Sequence, residues 1–216
     1  MIDAVIFDLD GTLIDSLADI HGSLAYAFKV LGYKEPSQEE VRLALGKGPL
    51  VLMERLGAKE PTKAAELFRE HYKKNLSNKS RVYDGIMELL EELKKRKIKT
   101  GVFSNKPHDA TQEVCRRYFP GFFQEILGSG IYERKPSPEG LLIMMDRQGL
   151  SHDQVLYVGD SDVDVYTAKN AGVACLQVDW GFQSPLAGAK VISQPLDLLS
   201  HLGKEEDLKA GQPEPQ

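Results

Sequence analysis

Residues 4–13 read Ala4-Val5-Ile6-Phe7-Asp8-Leu9-Asp10-Gly11-Thr12-Leu13, and this stretch decides the fold. Four consecutive apolar residues bounded by an acidic, glycine-containing turn mark a short strand buried on both faces, as a parallel sheet requires. Outward from it the signature recurs. Lys99-Thr100-Gly101-Val102-Phe103 stops at Ser104-Asn105, Gln154 to Val158 at Gly159-Asp160, and Val173 to Val178 at Asp179. A weaker run, Glu125-Ile126-Leu127, stops at Gly128-Ser129. Between the runs, apolar periodicity predicts helices over 85–97, 138–148 and 162–171, the last two closed by Gly149 and Gly172. Strands alternating with helices predict an α/β protein: a Rossmann-like, doubly wound parallel sheet covered on both faces.

One segment breaks the alternation. Residues 15–80 contain no convincing strand, and helices are predicted over 17–31, 37–45, 50–56 and 62–76, punctuated by Gly32, Pro36, Gly46-Lys47-Gly48-Pro49 and Gly57. The expected organisation is a catalytic core of residues 1–14 and 81–203 interrupted by a helical cap domain at 15–80. Residues 204–216, polar and with two prolines, are expected to be a disordered tail.

Composition narrows the function classes. The chain has 216 residues, 42% hydrophobic and 27% charged, with a formal net charge of -5. Such a balance speaks against bulk electrostatic nucleic-acid binding. The N-terminus lacks a basic leader, and its apolar run is far too short to span a membrane, so a cytoplasmic protein without a membrane partner is expected. Cys115 and Cys175 suit a reducing compartment as buried free thiols, with a disulfide left open. The five histidines show no metal-ligand spacing. The oligomeric state is not readable from the sequence.

The strand ends carry the chemistry. Ligands of open α/β sheets bind outside the carboxyl ends of the strands. Asp8, Asp10, Ser104 and Asp160 are therefore expected in one crevice, with Asp164 one helical turn beyond. Any one of them could be a helix cap, but the full set points to a site. Two carboxylates as close as Asp8 and Asp10 repel unless a cation or shared proton intervenes, and Mg²⁺ with its oxygen ligands suits the pair.

The ordered motifs Asp8-Leu9-Asp10-Gly11-Thr12, Ser104-Asn105, Lys135-Pro136 and Gly159-Asp160-Ser161-Asp162-Val163-Asp164 resemble the haloacid dehalogenase superfamily of phosphatases. The resemblance extends to about residue 200, and the insert falls where that family carries its helical cap. It implies Asp8 as the nucleophile that forms an aspartyl-phosphate. It implies Asp10 as general acid and base, its backbone carbonyl also touching the metal. Ser104, Asn105 and Thr12 would bind phosphate or substrate, and Lys135 would steady nucleophile and phosphate. Asp8, Asp10 and Asp160 would hold Mg²⁺, with Asp164 in support. The chemistry agrees: a carboxylate attacks a dianionic ester only if cations neutralise both.

Ser104-Asn105-Lys106, Glu133-Arg134-Lys135-Pro136 and Val178-Asp179-Trp180-Gly181 further resemble the phosphoglycolate phosphatase branch. The resemblance implies a small phosphorylated metabolite as substrate. Lys47 in its glycine-flanked loop, and Arg55 one helix on, are candidates to meet a second negative group; a plain helix-helix turn explains them equally well. The alternatives are a phosphosugar mutase, which would return the phosphoryl group to a sugar, and a non-enzymatic binding protein for phosphate ligands. A dehalogenase would not need the acidic cluster.

Overall fold

The computed structural model describes residues 1–76 and 78–203. The expected tail at 204–216 lies outside them. Strand β1 (Ala4–Phe7) is wholly buried because alternate side chains serve two cores. Val5 and Phe7 pack with Ile86, Leu89, Leu90 and Leu93, while Ala4 and Ile6 pack with Leu141, Met144, Val165 and Ala168. β1 pairs in parallel with β4 (Lys99–Pro107) on one side and β6 (Val155–Gly159) on the other. With β5 (Glu125–Ser129), β7 (Ala174–Val178) and β8 (Val191–Ile192), the parallel order is β5-β4-β1-β6-β7-β8. The chain leaves β1 toward β4 and β5, then returns to its other side for β6, so the strand order reverses at β1. A crevice for ligands belongs there.

Helices α5 (Ile86–Lys95) and α6 (His108–Tyr118) cover one face, and α7 (Glu139–Gln148) and α8 (Asp162–Ala171) the other. The insert forms α1 (Leu17–Val30), α2 (Gln38–Ala44), α3 (Pro49–Arg55) and α4 (Pro61–Lys74). Its helix starts follow local chemistry: Ser37 and Glu40 form a reciprocal cap, and Pro49 and Pro61 open their helices. These helices share a third core built around Leu24, Phe28, Val41, Met53, Ala64 and Phe68.

The structure corrects the sequence reading in places. The insert enters and leaves through a two-stranded antiparallel ribbon, β2 (Ile14–Asp15) with β3 (Arg81–Val82), too short to show any periodicity. β4 runs on to Pro107, so Ser104 lies inside a strand and not at its end. Helix α6, strand β8 and the 3₁₀ segment Pro195–His201 were not anticipated. In α6 only Thr111, Val114 and Cys115 are buried, an apolar stripe too thin to detect. Both cysteines are buried and free. Among the described residues no helix is long and apolar enough to cross a membrane.

Candidate active site

Parallel register brings the strand ends together. Phe7 pairs with Val102 on β4 and Val158 on β6, so Asp8 and Asp160, just past the ends of β1 and β6, come beside Ser104 inside the longer β4. Gly11 makes the turn behind them possible. It has φ +88°, and a Cβ there would overlap the Asp160 carboxylate.

Asp8, Asp160 and Asp164 each present a carboxylate oxygen within 4.8 Å of the others, and all three are buried. Lys135 is the cation among them. Its Nζ forms an ion pair with Asp8 Oδ1 at 3.0 Å and donates to Asp164 Oδ1 at 2.6 Å and to the Tyr157 hydroxyl at 3.2 Å. Asp164 is doubly committed: its other oxygen accepts from the Ser161 amide at 3.1 Å and the Ser161 hydroxyl at 2.6 Å, capping α8. The Lys135–Pro136 bond is cis.

Charge crowding marks the cluster electrostatically. Burial raises the Asp8 carboxyl to about 6, with Lys135 opposing and Asp164 adding to the rise. Burial and then Asp164 and Asp8 push Asp160 well above the usual carboxylate range. Lys135 stays firmly protonated, because Asp164 and Asp8 outweigh its burial. Three desolvated carboxylates face one ammonium, which serves both Asp8 and Asp164. An oxygen-rich, over-negative pocket of this kind fits a hard divalent cation such as Mg²⁺.

Asp10 is placed differently. Its carboxylate accepts from Ser16 Oγ at 2.6 Å and from Lys106 Nζ at 3.0 Å to each oxygen, outside the acidic trio. Lys106 also donates to the Tyr72 hydroxyl of α4 at 2.5 Å, and its ammonium lies over that ring. Lys106 received no role from the sequence. The available signal was its position two residues after Ser104, which puts both on one face of β4.

Asn105 ties three segments together. Its Oδ1 accepts from the Lys135 amide at 2.9 Å, and its Nδ2 donates to the Lys135 carbonyl at 3.1 Å and to the Gly46 carbonyl at 2.9 Å. The 45–48 loop of the insert thereby touches the core, as does Gln183, whose amide donates to Leu45 O at 3.1 Å.

The crevice has a volume of about 700 Å³ and contains Asp8, Asp10, Ser104, Asn105, Lys135 and Asp160. Lys47 and Arg55, expected to reach over it, are not part of its wall. Lys47 is exposed to solvent in the loop between α2 and α3, and Arg55, at the end of α3, is drawn back to the Ala44 carbonyl at 3.3 Å. Thr12 is fully buried and Asp164 lies behind Lys135, so neither lines the crevice. Asp179 is exposed and accepts from Ser193. Cations the sequence did not single out, Arg69, Lys73, Lys74, Arg116 and Arg117, line the mouth.

A Rossmann-like sheet with an acidic trio and a buried lysine at its switch point, covered by a helical insert, defines a class of hydrolases. The chain belongs to the haloacid dehalogenase-like hydrolase family, whose sequence model matches residues 5–178. It is 35% identical over 181 residues to a phosphoglycolate phosphatase of Aquifex aeolicus, covering 82% of this chain and 85% of the relative. To that of Vibrio parahaemolyticus it is 32% identical over 191 residues, covering 82% and 84%. A crystal structure from Haemophilus somnus, of a predicted phosphoglycolate phosphatase, superimposes with a TM-score of 0.86 at 30% identity, covering 94% of this chain and 98% of that one.

Proposed function

We propose that this enzyme, a phosphoric monoester hydrolase of the family, is Mg²⁺-dependent, forms an aspartyl-phosphate on Asp8 and hydrolyses a small anionic ester of the phosphoglycolate kind. The observation that carries the reading is Asp8 itself. Its buried carboxylate lies 3.0 Å from the Lys135 ammonium and beside two further buried carboxylates.

Asp8 and Asp160 would hold Mg²⁺ with the Asp10 backbone carbonyl. When bound, Mg²⁺ supplies positive charge that offsets both the ester phosphate and the attacking carboxylate. A carboxylate oxygen of Asp8 attacks phosphorus, the ester P–O bond breaks, and Asp10 gives its proton to the departing alkoxide. Asp10 then takes a proton from water, whose oxygen attacks the aspartyl-phosphate, releasing inorganic phosphate and restoring Asp8. Lys135 screens the approach of two anions, and Asp164 with Tyr157 holds it in place. Ser104 Oγ and the Asn105 backbone would receive phosphate oxygens. Residues 15–80 act as a lid that excludes water and leaves substrate choice to the crevice wall.

Phosphate release from phosphoglycolate tests this, with Mg²⁺, after exhaustive chelation, and in Asp8→Asn. Turnover is expected only in the first. A chelated enzyme at full rate would overturn the metal role, and an active Asp8→Asn the nucleophile.

A further inference from the structure

The two buried lysines at the catalytic end are both occupied: Lys135 by Asp8 and Asp164, Lys106 by Asp10 and Tyr72. Neither is free to receive a second negative group on a substrate, and Lys47 and Arg55 do not line the crevice. Yet the crevice extends well beyond the catalytic end. Its volume of about 700 Å³ lies within the ~300–1,000 Å³ typical of sites for drug-sized ligands. A two-carbon ester would leave most of it empty.

Helix α4 shapes the remainder. Phe68 and Tyr72 stand one turn apart, with ring centroids 5.3 Å apart in a stacked arrangement, and give the wall an apolar stripe. Arg69 and Lys73, also one turn apart, edge that stripe with positive charge. Neither forms an ion pair among the described residues. The wall therefore changes from catalytic groups through the Lys106–Tyr72 contact to an apolar surface edged by the unpaired Arg69 and Lys73, while Asp109 and Glu113, the latter paired with Arg116, also line the crevice.

We infer that the crevice, beyond accepting phosphoglycolate, favours phosphate monoesters with a longer leaving group, apolar along its middle and anionic at its far end, and that Arg69 and Lys73 receive that second anion. The inference rests on the phosphatase chemistry proposed for Asp8. A carboxylate and a second phosphate share the required chemistry.

Three homologous series test it on the Mg²⁺-loaded protein: ω-carboxyalkyl phosphates beginning with phosphoglycolate, the matching α,ω-bisphosphates, and neutral alkyl phosphates of equal length. The ratio of kcat/KM, anionic over neutral at equal length, is expected to rise with length by about tenfold, as for a charge-assisted contact. It should shrink as salt is added. The series with the larger rise identifies the anion. In R69E/K73E the same ratio should fall about tenfold or more. A ratio that does not change with length, or that survives the charge reversal, overturns the inference. Should the variant fail to fold, the wild-type ratio decides, and one insensitive to salt counts against. No turnover of any ester would sink the phosphatase reading and this inference together. Turnover without the length dependence sinks only the inference.

Discussion

As the proposed nucleophile, Asp8 must work ionised in a place that disfavours its charge. Burial raises its carboxyl from 3.8 to about 6, a value that already contains the opposing pull of Lys135. That difference corresponds to about 3 kcal/mol against the ionised form. Because the folded value lies above the unfolded one, the folded protein keeps a proton that the unfolded chain has released. The associated stability is complete below about pH 4 and is lost as pH rises through about 6. Asp8→Asn is neutral at every pH and suffers no such loss. In chelator, the variant's unfolding free energy from urea titration should gain on the wild type by about 2 kcal/mol between about pH 4.5 and 7.5. Turnover should meanwhile vanish. Mg²⁺ should reverse the order at neutral pH: at about a hundred times its Kd it would stabilise the wild type by ~2.7 kcal/mol and the variant far less. Parallel pH profiles for the two proteins in chelator, or equal stabilisation by Mg²⁺, would refute the reasoning.

Lys135→Met should leave Asp8, Asp160 and Asp164 without their buried counter-charge, lowering stability by about 3–5 kcal/mol in chelator. A urea titration showing less than about 1 kcal/mol, the range of an exposed pair, would contradict that. Asp10→Asn is expected to slow alkyl phosphates far more than aryl phosphates, since only a poor leaving group needs a proton at departure; equal fractional losses would count against its role as acid. Gly11→Ala forces a side chain into φ +88° and against the Asp160 carboxylate, which the Phe182 amide holds at 2.8 Å. It should cost about 1–3 kcal/mol and weaken Mg²⁺ binding by calorimetry, whereas an unchanged melting temperature would mean the turn relaxes freely.

The sequence by itself determined the sheet, the run of insert helices and the polar cluster at the carboxyl edge of the strands. A doubly buried strand needs continuous apolar residues, so β1, β4, β6 and β7 are written plainly. A polar residue at the end of such a run has few places to go, so Asp8, Ser104 and Asp160 were legible as neighbours. Local signals failed where the stabilising contacts are distant. Helix α6 shows little apolar stripe of its own, and β2 and β3 exist only because chain segments 66 residues apart meet across Asp15 and Arg81. Tertiary structure alone decided which charges face one another. It paired Asp10 with Lys106, which also donates to Tyr72, left Lys47 and Arg55 out of the crevice wall, and set Arg69 and Lys73 in it. A side chain's type shows that it carries charge, but its partner depends on helix rotation and on the packing of the insert against the sheet. Those are set by contacts spread over the whole chain, which no single stretch encodes.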